Sequence, residues 1–197
     1  MESKKPKRIY KVVAKLGFEL VTIIAGISIA LFVNNLQERK RDRKVLTATL
    51  HGLSREFSKN VENINKVQPT LERFRDTLQF YEKDLNLSLY DIATKSPGLN
   101  TADLYTTNWQ ATLSSNSLRL LDFETITLLS QIDAKHQELK DQEAILLSIV
   151  YSPAMYRSEK EGLEHRKLLD EWIGGYLGNE QELIELYNRF NELIGKM

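Results

Sequence analysis

The segment LGFELVTIIAGISIALFV, residues 16–33, decides the architecture of this chain. Its eighteen residues would rise about 27 Å as an α-helix, which is close to the hydrocarbon thickness of a bilayer. Glu19 is the only charged residue in the segment, and it lies in the first turn. The pattern therefore predicts one transmembrane helix over residues 16–33.

Two other interpretations of this segment compete with a transmembrane helix. A cleaved signal peptide has a shorter apolar core and a small-x-small cleavage site directly after it, whereas here the residues after the core are Asn34, Asn35 and Leu36. A buried helix of a soluble core would not be bracketed by clustered basic residues. A retained signal-anchor is the interpretation that the residues favour.

Basic residues flank the segment on both sides, with six Lys or Arg before it and five soon after it. Five of them are predicted to anchor the helix in the lipid headgroups: Lys11, Lys15, Arg39, Lys40 and Arg41. A short tail with six positive charges is difficult to translocate, so we expect a cytoplasmic N-terminus in the inner membrane and residues 37–197 in the periplasm or outside the cell. The basic residues after the segment weaken this preference.

One face of the predicted span carries small and polar residues. Glu19, Thr22, Gly26 and Ala30 are spaced i, i+3, i+7 and i+11 and so lie on one helical stripe. Small residues in such a series allow a second helix to approach closely. The stripe predicts a helix–helix contact in the membrane. Glu19 could serve that contact, reach the headgroups, pair with Lys15 one turn earlier, or form part of an ion path.

A repeat of 3.5 residues follows the span, with positions alternately four and three apart. It comprises Leu46, Leu50, Leu53, Phe57, Asn60, Ile64, Val67, Leu71, Phe74, Leu78, Tyr81 and Leu85. This spacing is typical of a coiled-coil or bundle seam, and a polar residue such as Asn60 can set its register or partner number. Periodicity does not tell whether the seam meets a second subunit or the chain's own helices, but an intramolecular bundle is the more economical solution.

Pro69 falls inside this repeat, where it would either kink the helix or begin a new one. We favour a helix over residues 7–67 and a second over residues 69–85. The predicted organisation is a basic tail at residues 1–15, the span at 16–33, a membrane-proximal helix at 34–67 and the remainder of a bundle domain at 68–197.

The rest of the chain shows helical periodicity and no strand alternation. Residues 86–102 form the longest predicted loop, and helices are predicted over 103–114, from the N-cap Asp122 to 150, from a Ser158–Glu161 capping box to Gly178, and over 180–194. Apolar positions expected to face the core include Ile126, Leu129, Ile132, Leu139 and Leu146. The fold class is therefore all-α, with a transmembrane helix continuing into a long helix that packs into a soluble antiparallel bundle.

Candidate chemistry is sparse. The 27 basic and 27 acidic residues balance, which argues against a nucleic-acid partner. The chain has no cysteine, and its three histidines, His51, His136 and His165, are scattered. The pairs Asp133/His136 and Glu161/His165 resemble ordinary charged helix faces. Trp109 and Trp172 are interpreted as core anchors. We therefore predict no catalytic residue, metal site or cofactor, and no enzymatic activity.

Two stretches resemble a bacterial family of uncharacterised single-pass membrane proteins. The first has Gly17 and Glu19, then Gly-Ile-Ser-Ile-Ala-Leu at residues 26–31, then Asn34-Asn35 and a charged run at 38–44. The second is NWQATLSSNSLRLLDFETITLLSQI at residues 108–132. The family often has Trp near the Asn pair, where this chain has Leu36. The resemblance covers about residues 10–135 and implies a membrane-anchored helical domain of unknown function; the family brings no established activity or catalytic residues to carry over.

Three functions remain open at this point. The first is a non-enzymatic subunit that forms a homo-oligomer or docks to another membrane protein through the span and seam. The second is an extracytoplasmic sensor or ligand-binding bundle that signals through a partner. The third is an ion-coupled assembly subunit that uses Glu19.

Overall fold

The computed structural model describes residues 6–196, and it describes side chains from residue 15 onward except those of residues 116, 159, 160 and 197. Five α-helices occupy this part of the chain: α1 (Pro6–Phe80), α2 (Leu89–Ala93), α3 (Thr107–Ser114), α4 (Phe123–Val150) and α5 (Glu159–Gly195). Two 3₁₀ turns, Asn116–Leu120 and Pro153–Tyr156, lie on either side of α4. The all-α prediction is confirmed, since no strand occurs among the described residues.

The chain divides into two compact units, Met1–Thr47 and Ala48–Met197. The described part of the first unit is entirely helical. Its predicted span is long and apolar enough to cross a membrane, and none of its apolar window is buried. Phe18, for example, is 74% exposed, and Ile29 is 65% exposed.

The second unit is a bundle in which α5 runs antiparallel to both α1 and α4. Phe57 of α1 stacks on Tyr187 of α5 at 4.6 Å, while Arg75 further along α1 pairs with Asp170 near the start of α5. On the other side, Trp172 donates its indole N–H to the carbonyl of Gln142 in α4. Helix α5 is thus the element that joins α1 and α4 in this unit.

The predicted seam forms the core of this unit. Its positions from Leu50 to Leu78 are buried apart from Val67, and Phe57, Asn60, Ile64, Leu71 and Phe74 are all 0% exposed. The stacking of Phe57 on Tyr187 and its edge contact with Phe190 show that the seam packs against the chain's own last helix. Leu85 is 51% exposed and lies outside it.

The predicted helix break at Pro69 is wrong, because α1 runs unbroken to Phe80. Because proline has no backbone N–H, the carbonyl one turn before Pro69 has no helical donor. Pro69 is exposed, so water can bond that carbonyl instead. Ile64 and Leu71 on either side are fully buried. Their packing outweighs a cost of about 3 kcal/mol for an interior proline.

The predicted break at Gly178-Asn179 is also wrong, since α5 runs unbroken from Glu159 to Gly195. A Cβ at Gly178 would meet nothing within 4 Å. The Asn179 side chain bonds Lys135 and Glu138 of α4 at 3.1 and 3.0 Å. The contacts of Asn179 across the bundle thus support a continuous helix where local propensity alone would end it.

Among three further predictions for α4 and α5, one is confirmed and two are wrong. Asp122 caps α4 as predicted, accepting from the Thr125 N–H at 2.8 Å. Ser158 precedes α5 without a side-chain cap, so the predicted capping box is wrong; Glu161 pairs with Arg157 instead. Ile126 is 37% exposed rather than inward.

Candidate functional site

The predicted stripe Glu19, Thr22, Gly26 and Ala30 lies on the exposed surface of α1 in the first unit. Glu19 pairs with Lys15 at 3.9 Å, and the Thr22 hydroxyl donates to the carbonyl of Phe18 at 2.9 Å. A Cβ at Gly26 would meet nothing within 4 Å. The stripe is therefore an exposed face of α1.

The predicted headgroup anchors also lie on α1. Lys15, Arg39, Lys40 and Arg41 are exposed, and Lys15 is the anchor that pairs with Glu19. The side chain of Lys11 lies outside the described part of the chain. The four described side chains are therefore accessible to lipid headgroups.

The second unit carries a pocket that the sequence did not indicate. Its volume is about 500 Å³, and it lies between the segment 101–106, helix α3 and one face of α4. Pockets of about 300–1,000 Å³ accommodate small-molecule ligands. From α4 it is lined by Asp133, His136, Lys140 and Glu143, which are spaced i, i+3, i+7 and i+10 on one helical stripe.

Trp109 of α3 and Asp133 of α4 form one wall. The indole N–H of Trp109 donates to the Asp133 carboxylate at 2.6 Å. This bond holds the carboxylate in one orientation and also satisfies the indole of a residue that is only 7% exposed. Trp109 is thus a core anchor, as predicted, and it also lines the pocket.

His136 belongs to a chain of hydrogen bonds that enters the bundle. The amide of Asn60 donates to the Tyr187 hydroxyl at 3.0 Å, and that hydroxyl bonds His136 Nε2. Burial lowers the pKa of His136 to about 4, although the nearby Asp133 acts in the opposite direction. A neutral imidazole can accept the Tyr187 proton at Nε2 and carry its own proton at Nδ1, for which the described residues provide no partner.

A second hydrogen-bonded pair, Tyr176 and Glu143, lies where Glu143 lines the pocket. The Tyr176 hydroxyl donates to Glu143 at 3.1 Å, and Tyr176 is completely buried. Burial raises the pKa of Tyr176, and the charges of Glu143 and Glu180 raise it further. The hydroxyl is therefore a fixed hydrogen-bond donor to the carboxylate that lines the pocket.

Glu180 is the deepest carboxyl of this group, at 1% exposed. Within the described residues neither of its oxygens meets a donor at full hydrogen-bonding geometry. Burial raises its pKa to about 7; the Gln68 side chain partly offsets this rise, and Glu143 adds to it. A buried carboxyl without a donor is costly, and such groups often mark functional sites.

Side chains of α1, among them Asn60 and Glu56, hold the opposite wall in place. Asn60 accepts from the Tyr105 N–H at 2.7 Å and donates to the Tyr105 carbonyl at 2.9 Å. Glu56 accepts from the backbone N–H groups of Asn108 and Trp109 at 2.6 and 3.2 Å. Glu56 thereby caps α3, because the side chain of the N-cap residue itself makes no capping hydrogen bond to the backbone. This distant cap explains why α3 begins at Thr107 and not at the predicted Asp103.

Within the described residues, no group of three or more His, Asp or Glu side chains is arranged to hold a metal ion. The carboxylates Asp133 and Glu143 lie ten residues apart on α4, which corresponds to about 15 Å along the helix. The pocket is consequently suited to a molecule that spans several ångströms.

One sequence signal could have indicated this site. Glu180 lies on the apolar face of α5, four residues after Tyr176 and three before Leu183, both of which are completely buried. Glutamate is almost never fully buried unless its carboxyl group is paired with another group. Asp133 and His136 give no such signal and resemble an ordinary surface pair, because the wall that covers them comes from a distant loop.

Comparison of the chain with protein-family models, with curated proteins and with solved structures gives no significant match.

Proposed function

We propose that this chain is a single-pass membrane protein of the inner membrane that acts, without enzymatic activity, as an oligomerisation or docking subunit. In this proposal residues 16–33 cross the bilayer, the N-terminus is cytoplasmic and residues 37–197 are extracytoplasmic. The stripe of Glu19, Thr22, Gly26 and Ala30 contacts a helix of a second copy or of another membrane protein.

The observation that carries this proposal is a contrast between two apolar surfaces. The seam of α1 from Leu50 to Leu78 is buried by the chain's own helices, so it is not available to a second subunit. The apolar window of the predicted span is 0% buried. A surface of that kind is stable only in lipid or against other apolar helices. Docking is therefore assigned to the span alone, and not to the span and seam together.

Glu19 fits a contact near the membrane boundary. A carboxylate at the centre of a span costs about 2.5–3.5 kcal/mol on insertion scales. At the first turn, Glu19 lies 3.9 Å from Lys15 on the same helix, and both side chains are more than half exposed. This pairing favours docking over an ion path through the membrane, where an acid nearer the midplane would serve better. The resemblance to single-pass membrane proteins that share the Gly-x-Glu feature supports the same proposal.

A matched pair of substitutions tests the docking face. Gly26→Leu fills the stripe, and Ser28→Leu places the same side chain on the opposite face of the helix. Full-length variants are extracted in mild detergent and sized by light scattering, and co-purifying proteins are identified by mass spectrometry. Gly26→Leu should release the partner or reduce the assembly size, while Ser28→Leu should not. Equal behaviour of the two variants would refute docking through this stripe.

Orientation is tested separately. A topology reporter that is active only in the cytoplasm, fused after Lys196, should be silent in cells, whereas one that is active only outside it should give signal. Activity of the cytoplasmic reporter would overturn the placement of residues 37–197 and would leave the docking face untouched.

A second candidate function is a ligand-binding bundle that signals through the docked partner. The pocket between α3, α4 and the segment 101–106 favours it, because its walls combine an aromatic ring with carboxylates held by hydrogen bonds.

A further inference from the structure

The charge of the pocket selects the class of ligand. Three carboxylates line it, those of Asp103, Asp133 and Glu143, against one ammonium group, that of Lys140. His136 adds no positive charge near neutral pH, because burial lowers its pKa to about 4. The lining is therefore negative overall and attracts cations.

The two pocket carboxylates on α4 are held in fixed positions. Asp133 accepts from the Trp109 indole at 2.6 Å, and Glu143 accepts from the buried Tyr176 hydroxyl at 3.1 Å. Each carboxylate keeps further lone pairs for another donor. Groups that are fixed before binding lose little conformational entropy when a ligand arrives.

Aromatic and aliphatic side chains complete the wall. Trp109, Leu104 and Leu113 line the pocket together with the carboxylates. An organic cation gains from this combination, because its charge meets carboxylates and an indole face while its carbon atoms meet apolar surface. A bare metal ion would need a cluster of oxygen ligands instead, and the described residues contain no such metal-binding group.

An independent observation concerns Glu180, which interacts with both Glu143 and Tyr176. Its carboxyl is 1% exposed, and neither oxygen has a donor at full hydrogen-bonding geometry among the described residues. A cation held at Glu143 would supply positive charge beside this carboxyl and so reduce the cost of its burial. Glu143 lines the pocket and interacts with the buried Glu180, which is not itself part of the lining, so a cation at Glu143 would act on both carboxyl groups.

We propose that the pocket between the segment 101–106, α3 and α4 binds a small organic amine, with its ammonium group at Glu143 or Asp133 and its carbon skeleton along Trp109. The inference rests on the second candidate function, the ligand-binding bundle. It is independent of docking in the membrane, so Gly26→Leu should leave amine binding unchanged.

The two tryptophans provide a specific readout. The indole N–H of Trp109 bonds Asp133 in the pocket wall, whereas Trp172 does not line the pocket and its indole N–H bonds the carbonyl of Gln142. In ¹⁵N-labelled full-length protein in detergent micelles, butylammonium chloride should shift the Trp109 indole signal saturably and leave the Trp172 signal in place. Sodium butyrate, which has the opposite charge and a similar skeleton, should shift neither signal.

Two nearly isosteric variants test the carboxylates. Asp133→Asn keeps an acceptor for the Trp109 indole, and Glu143→Gln keeps one for the Tyr176 hydroxyl. The substitution at the carboxylate that holds the ammonium group should raise the Kd for butylammonium by about tenfold or more, which corresponds to about 1.4 kcal/mol. Asp141→Asn, on the same helix but outside the pocket lining, serves as the control and should not change the Kd.

Three results would overturn the proposal: no saturable shift of the Trp109 signal in wild-type protein, an equal shift with butyrate, or an unchanged Kd in both Asp133→Asn and Glu143→Gln. The first two are measured on the unmodified chain, so they do not depend on whether a variant folds. Loss of docking with retained amine binding would refute the membrane proposal and leave this one intact.

Discussion

Replacement of Glu180 by glutamine should stabilise the bundle at alkaline pH and have little effect in acid. The pKa of Glu180 is raised by burial from 4.5 to about 7. A group whose folded-state pKa lies above its unfolded value contributes full stability below the unfolded pKa and loses it as pH rises through the folded pKa. The wild-type chain therefore carries an increasing cost between about pH 4.5 and 7.

The magnitude follows from the same pair of values. The difference between 4.5 and about 7 corresponds to a cost of about 3 kcal/mol once the carboxyl is ionised in both states. No reduction for solvent screening is needed, because Glu180 is 1% exposed. The glutamine that replaces it has nearly the same volume and no charge, and its amide can donate to Glu143. Glu180→Gln should thus gain up to about 3 kcal/mol above about pH 8 and almost nothing near pH 4.

The assay is urea unfolding of full-length protein in micelles at several pH values, followed by tryptophan fluorescence. Both tryptophans are buried in the second unit, so the signal reports on the bundle. Glu185→Gln, an exposed position on α5, is the control and should be neutral throughout. The pH dependence due to His136 is common to all variants and cancels in the comparison. A Glu180→Gln variant that equals wild type at pH 8, or is destabilised equally at all pH values, would refute the reasoning.

Three further predictions concern the polar groups of the bundle. Asn60→Ala should destabilise it by about 2–4 kcal/mol in urea unfolding, because the Tyr105 N–H and C=O lose their partner in a part-buried site. Glu56→Ala should cost about 2–3 kcal/mol by uncapping α3, and faster amide exchange at Asn108 would check that the loss is local, whereas unchanged exchange there would contradict it. Stability due to His136, whose pKa is lowered from 6.5 to about 4 by burial, should be present above about pH 6.5 and fall as pH drops toward 4. A His136→Gln variant should lack that decline, and a decline of equal size would show that other groups cause it.

Much of the fold could be predicted because its signals are local and repeated. The apolar run at 16–33 and the 3.5-residue repeat each depend on residues close together in sequence, and burial of the repeat from Leu50 to Leu78 confirms the second. The Asp122 cap of α4 depends on a bond between residues only three positions apart, Asp122 and Thr125. Such patterns reflect helix geometry directly.

The helix boundaries that were wrong depend on distant residues. Pro69 and Gly178 end helices in isolation, but here packing across the bundle holds α1 and α5 continuous. Helix α3 begins where Glu56, more than fifty residues earlier in the chain, meets its first N–H groups. Local propensity carries no information about such partners.

The pocket could not be predicted for the same reason. Its α4 wall is a regular stripe of charged residues, which resembles any solvated helix face. The opposite wall is held over it by partners from the distant helix α1, such as Asn60, which pairs with Tyr105. Glu180 was the one local signal, an acid on an otherwise apolar helix face.

The central claim, that the span docks against a partner through one face, is tested most directly by position-specific cross-linking. The chain has no cysteine, so each single substitution introduces a unique thiol for a photoactivatable cross-linker in native membranes. Thr22→Cys, Gly26→Cys and Ala30→Cys should capture one discrete partner, either a second copy or another membrane protein, whereas Ile24→Cys and Ser28→Cys on the other face should capture little beyond lipid. Equal capture around the helix, or capture of lipid alone at every position, would contradict the account.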